Sequence, residues 1–216
     1  MAKLVNVAVS EAVGNCPLRV RVSLRARVIK KGLYLHGVDT TLFLCTFEKT
    51  CNTMAGTYTI PPQTRIGHVH LKVADLERSL AFYRDLLGFE LTTLYGDQAA
   101  FVSAGGYHHH IGLNTWNSKG APRASTSGVG LYHTAIVYPT RRDLAAIFKR
   151  LIDAQYPLTG ASDHGVSEAL YLDDPDGNGV ELYWDRPVDQ WPREDDGSLI
   201  MYTRRLDLEG LLRELE

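Results

Sequence analysis

Two stretches of the chain share one pattern of apolar and polar positions. The run from His68 to Leu87 aligns without a gap on the run from His133 to Ile152 at a constant offset of 65. The offset places His68 on His133, Leu71 and Val73 on Ile136 and Tyr138, and Asp75 on Thr140. Farther along, Phe82 falls on Ile147, Tyr83 on Phe148, Leu86 on Leu151 and Leu87 on Ile152. Each run begins as a strand and continues as a helix. In the helices Leu76, Leu80, Tyr83 and Leu87, and likewise Leu144, Phe148 and Leu151, recur at helical spacing and predict one buried face apiece. Asp75 and Thr140 suit the N-cap, where a side-chain oxygen accepts from a first-turn N–H. Asp143, three residues after Thr140, makes a near capping box, and Gly88 is a C-terminal stop.

β-like runs follow each helix: Glu90–Tyr95, Ala99–Ser103 and His109–Trp116, then Ala169–Leu172 and Gly179–Trp184, with a turn over residues 173–178 between the last two. An internal repeat of this length predicts an α+β architecture of two βαβββ modules, residues 66–116 and 131–185, joined by a linker over 117–130. Two curved sheets facing each other would leave a cleft. After a polar tail over 185–205, a short helix, Leu206–Leu215, is expected to be capped near Asp207 and to dock by Leu208, Leu211 and Leu212.

Composition adds a boundary. Residues 1–53 hold eight Lys/Arg against three acids, a net charge of +5, while the whole chain carries −2. All three cysteines, Cys16, Cys45 and Cys51, lie there too. The chain is therefore divided into an N-terminal extension (1–63), a main domain (64–186) and a C-terminal tail with a short helix (187–216). Leu18–Ile29 and Thr40–Phe47 read as short β runs without an identifiable partner. Three readings of the extension stand: a loosely attached segment, a small β-hairpin appendage, or an upstream reading-frame extension. The Met-Ala-Gly at 54–56 favours the last. A main domain free of cysteine suits a reducing cytoplasm. The near-neutral charge offers no electrostatic case for nucleic acid or an anionic membrane, and no apolar run approaches the roughly 20 residues of a membrane span.

The chemistry begins with the paired histidines. A single strand histidine is usually a satisfied core residue, but His68 and His133 hold equivalent places in two modules that a pseudo-two-fold would bring together. Glu181, alternating with Val180 and Leu182 on a late strand, supplies the anionic third donor. Two His and one carboxylate leave open coordination positions and suit Fe(II) or Mn(II), and Zn(II) accepts the same set.

Residues 67–83 (Gly-His-Val-His-Leu-Lys-Val-Ala-Asp-Leu-Glu-Arg-Ser-Leu-Ala-Phe-Tyr) and 171–181 (Tyr-Leu-Asp-Asp-Pro-Asp-Gly-Asn-Gly-Val-Glu) resemble the vicinal oxygen chelate superfamily. That superfamily groups glyoxalase I, fosfomycin- and bleomycin-resistance proteins and extradiol ring-cleaving dioxygenases. The resemblance covers about residues 64–186 and implies a mononuclear metal site at His68, His133 and Glu181. Three features resemble the catechol 2,3-dioxygenase-like branch. A His run, Tyr107-His-His-His110, matches the acid/base pair of those enzymes, with His110 the best match and His109 close behind. Tyr171, ten residues before Glu181, matches a tyrosine that contacts substrate oxygen. His164 matches an outer histidine, two residues nearer the tyrosine than in the larger enzymes. A catechol must lose protons to chelate a metal, and imidazole is the natural base near neutral pH.

The resemblance thus implies an Fe(II) enzyme, Mn(II) being admissible, that opens a catechol-type ring with O2. Aromatic hydrocarbon catabolism, a cytoplasmic setting and a homo-oligomer, dimer or larger, are the matching expectations. Glyoxalase-like lyases or thiol transferases of the superfamily are the first alternative. They typically take a further carboxylate from the last strand of the first module, and no acid lies between Ala99 and Trp116. A drug-binding protein without catalysis is the second, and such proteins generally lack the three ligands. His70, two residues from His68, is given no role.

Overall fold

The computed structural model describes residues 57–123 and 127–216 in full and, before them, strand residues 5–9, 12–13, 16–17 and 20–24. The chain divides into two compact units, Met1–Ile60 and Pro61–Glu216. In the first, β1 (Val5–Val9) pairs antiparallel with β4 (Val20–Leu24), and β2 (Ala12–Val13) with β3 (Cys16–Pro17). The expected run Leu18–Ile29 therefore contains a strand, and its partner is Val5–Val9. Thr40–Phe47 and the Met54 start lie outside the described residues.

The second unit holds both modules. In the first module β5 (Val69–Lys72) leads into α1 (Leu76–Leu80), then β6 (Glu90–Tyr95), β7 (Ala99–Ser103) and β8 (Ile111–Asn114) form a four-stranded sheet ordered β5-β8-β7-β6. In the second, β9 (Thr134–Val137), α2 (Arg141–Asp153), β10 (Gly160–Asp163), β11 (Ser167–Asp173) and β12 (Gly179–Asp185) follow the same plan. With β13 (Arg204–Arg205) they build the sheet β13-β10-β11-β12-β9. In each module the first strand pairs parallel with the last, which leaves β5 and β9 as sheet edges.

The caps follow the sequence. Asp75 accepts from Arg78 N–H at 2.8 Å and Thr140 from Asp143 N–H at 3.1 Å, while Thr140 Oγ1 donates to Asp143. Beyond Leu80 the first helix widens into a π-helical turn over Ala81–Leu86, and Gly88 ends it at φ +87°. The widened turn keeps Phe82 and Tyr83 buried. Two expectations shift. The expected strand His109–Trp116 is only Ile111–Asn114, so His109 and His110 stand on the loop entering it. Strand β10, Gly-Ala-Ser-Asp, lacks the alternation by which a strand is recognised.

One core runs through both modules, from Leu71, Leu80 and Leu113 to Leu144, Leu170, Leu182 and Leu211. Across the modules Tyr83 donates to Asp174 at 3.0 Å inside it, and Asp176 pairs with Arg78 and accepts from Ala74 N–H at 3.1 Å. The last helix, α3 (Leu208–Leu212), is capped by Asp207, which accepts from Gly210 N–H at 2.9 Å, and it buries Leu211.

Candidate metal centre

Strand register assembles the site on the second module. β12 lies between β9 and β11, so Glu181 stands beside Ala135 on one side and directly opposite Tyr171 on the other. His133 immediately precedes β9, and its Nε2 is 2.9 Å from Glu181 Oε2. Tyr171 Oη donates to the other carboxylate oxygen, Oε1, at 2.9 Å. His164, just past β10, brings Nε2 to 2.7 Å from the same phenol oxygen, and its Nδ1 lies 2.9 Å from the Tyr202 carbonyl. Four side chains and a main-chain carbonyl thus form one hydrogen-bonded series, His133–Glu181–Tyr171–His164–Tyr202. Burial, then the hydrogen bond to Glu181, pushes the Tyr171 hydroxyl well above the ordinary phenol range, so it is a hydrogen donor.

The first-module residues form a separate cluster. His68, immediately before β5, lies against His109 with ring centroids 4.4 Å apart, and His109 Nδ1 is 2.7 Å from His108 Nδ1. Burial, then the charge of His68, lowers the His109 pKa, which favours its neutral form. His110 points elsewhere: its Nδ1 accepts from Ala104 N–H at 3.3 Å and lies 2.9 Å from Ser103 Oγ, at the end of β7. Of the two candidates for the acid/base, the histidine that touches His68 is His109. His70 packs between Phe101 and Trp116, each 5.6 Å away centre to centre, over Gly112.

The donor set on the second module fits a divalent ion. An imidazole nitrogen and a carboxylate oxygen about 3 Å apart can occupy neighbouring positions on one ion whose bonds are about 2.1 Å long. His133 Nδ1 is also buried with no hydrogen-bond partner among the described residues. Ligand histidines ordinarily anchor that second nitrogen, and here no described residue does so. Among the described residues no group of three or more His, Cys, Asp or Glu is gathered as a metal site. Of the three expected ligands, His133 and Glu181 are in contact, and His68 is not gathered with them into one set among the described residues.

Sequence reasoning did not find Tyr202, because a main-chain acceptor leaves no residue-type signal. The Asp173–Asn178 segment is the turn that was expected: Asp174, 1% exposed, accepts from Asp176 N–H, Asn178 N–H and Asn178 Nδ2. Among the described residues no helix is long and apolar enough to cross a membrane.

Comparison with known proteins agrees with this plan. Residues 65–182 match the model of the Glyoxalase/Bleomycin resistance protein/Dioxygenase superfamily. A catechol-2,3-dioxygenase of Bacillus subtilis (strain 168) is 42% identical over 155 residues, 72% of this chain and 53% of that protein. Biphenyl-2,3-diol 1,2-dioxygenase 3 of Rhodococcus globerulus is 34% identical over 122 residues, 56% of this chain and 63% of that protein. The chain thus spans between half and two thirds of the length of these relatives. A crystal structure of a glyoxalase/dioxygenase from Nostoc punctiforme shares the fold, with a TM-score of 0.50 at 17% identity over 62% of this chain and 100% of that one. The repeat, the two mixed sheets and the matched residues together place the chain in the glyoxalase/bleomycin resistance protein/dioxygenase superfamily.

Proposed function

We propose that this protein is an extradiol ring-cleaving dioxygenase, inserting O2 into a catechol-type aromatic diol at one Fe(II), with Mn(II) an admissible substitute. The observation that carries the reading is the series His133–Glu181–Tyr171–His164: a ligand pair whose carboxylate is already held by a phenol, backed by an imidazole. Two relatives named as dioxygenases of catechol and biphenyl-2,3-diol point to the same substrate class.

In this reading His133 and Glu181 would hold the ion, and His68, at the equivalent place in the first module, would join them as the third ligand when the ion binds. Such a set supplies a Lewis acid with open positions for a diol and dioxygen. The chain's own residues do the rest. His109, whose ring lies against His68, takes a diol proton, and His110 stands next to it on the same loop. Tyr171 restrains Glu181 through its O–H before substrate binds and can turn that hydrogen to substrate oxygen afterwards, and His164 orients Tyr171. Cytoplasmic location and a homo-oligomer, dimer or larger, complete the proposal.

Anaerobic loading with Fe(II), followed by O2 uptake with catechol, tests it. Wild type is expected to bind one iron and consume O2. His133→Ala should lose the iron. His109→Ala should keep it and lose about 10²-fold or more in kcat, with a smaller loss for His110→Ala. Stoichiometric iron with no O2 consumed on any diol would defeat the assignment.

A further inference from the structure

Main chain from the C-terminal tail grips His164 on two sides. Tyr202 N–H donates to the His164 carbonyl at 3.3 Å, and the Tyr202 carbonyl lies 2.9 Å from His164 Nδ1. Thr203 Oγ1 adds a longer contact to Nδ1 at 3.4 Å. A carbonyl oxygen only accepts, so Nδ1 carries the hydrogen. With its one hydrogen there, the ring turns the Nε2 lone pair to the Tyr171 phenol, 2.7 Å away.

The tail is fastened where this matters. Arg204 and Arg205 of β13 pair with Asp163 and Ser162 of β10, and the Arg204 guanidinium sits 4.0 Å over the Tyr202 ring. Tyr202 and Pro192 close over Gly165, whose φ is +80°. A Cβ there would come within 2.7 Å of Tyr202 Cε1 and 3.0 Å of Pro192 Cγ. Only a residue without a side chain lets the tail lie this close to His164.

We propose that residues 192–205 are a positioning element of the active site. Through the Tyr202 carbonyl they fix the His164 tautomer, and so decide how the Tyr171 hydroxyl is shared between His164 Nε2 and Glu181 Oε1. The phenol has one hydrogen and two acceptors, at 2.7 and 2.9 Å. With Nδ1–H held by Tyr202, both acceptors compete for it. With the tail displaced, the ring is free to carry its hydrogen on Nε2. It then donates to the phenol oxygen, and the Tyr171 hydrogen turns wholly to Glu181. The inference rests on the dioxygenase reading for its turnover arm alone.

The test is 15N-histidine labelling of the metal-free protein, with two-bond 1H–15N correlation spectra above the ordinary imidazole titration range. Wild-type His164 is expected to show the Nδ1–H pattern. Gly165→Ala and Tyr202→Ala should both lose it. In the iron-loaded enzyme the same variants should lose about 10- to 100-fold in kcat, as outer partners of a metal site typically do, with KM and iron content unchanged. Adding either change to His164→Ala should cost no further turnover. If Gly165→Ala fails to fold, Tyr202→Ala, which leaves the glycine in place, carries the test. An Nε2–H pattern in wild type, an unchanged pattern in a folded variant, or losses that add to those of His164→Ala would overturn the proposal. If wild type consumes no O2 with any diol, the functional reading falls and the spectra still decide this one.

Discussion

Glu181 touches an imidazole with one oxygen and a phenol with the other, which leaves it little freedom to rotate. A carboxylate pinned in this way is preorganised, because its orientation is fixed before anything binds. Tyr171→Phe removes the donor to Oε1 and, in the proposed reaction, the hydrogen that turns to substrate. The expected result is a loss of about 10²-fold in kcat with iron retained, checked by steady-state O2 uptake beside iron analysis. The resemblance picked out Tyr171 by its place ten residues before Glu181, and ten residues across one tight turn do set the two opposite each other on paired strands. The choice between His109 and His110 was not legible in the sequence. Both precede β8, and the turn geometry alone decides which ring meets His68.

At the scale of elements, the parallel pair β9 and β12 sets the distance between His133 and Glu181, and Gly179 sets how closely the two strands approach. A Cβ on Gly179 would fall on the Tyr132 carbonyl and lie 3.2 Å from His133 Cβ. Gly179→Ala should therefore push the strands apart. We expect a loss of about 1–3 kcal/mol in urea unfolding, as for overpacked cores, together with weaker iron binding in a competition titration with a chelator. The helices were legible because capping chemistry and apolar spacing are local. The π-helical turn over Ala81–Leu86 was not, since the seating of Phe82 and Tyr83 in the shared core is settled by residues far along the chain.

For the molecule as a whole, the buried Asp174 joins the two modules. Asp174→Ala would strip hydrogen-bond partners from Tyr83, Asp176 and Asn178 at once, and should lower stability by about 3 kcal/mol or more in urea titration. Acid sensitivity belongs at this scale as well. The Arg186 guanidinium, with Gly165 N–H behind it, holds the Asp163 carboxyl below the ordinary carboxylate range. A lowered folded-state pKa contributes stability above the unfolded value, near 3.9, that is lost as pH falls through the folded one. Stability of wild type should accordingly drop more steeply with acid below about pH 4 than that of Asp163→Asn, in urea midpoints measured across that range. The two-module plan was legible from the offset of 65 between equivalent residues. Whether His68 meets His133 and Glu181 was not, because no local pattern encodes the approach of two sheet edges.

Leu206 and Leu211 are core residues, and Tyr202 braces His164, yet all three follow every other member of the site in the chain. Translation at roughly 5–20 residues per second therefore exposes His164 some seconds before its partners leave the ribosome. In that interval the nascent protein holds imidazoles and a carboxylate without the frame that orders them. The ordering of His164 is thus among the last steps in building the site, completed only when the C-terminal residues arrive.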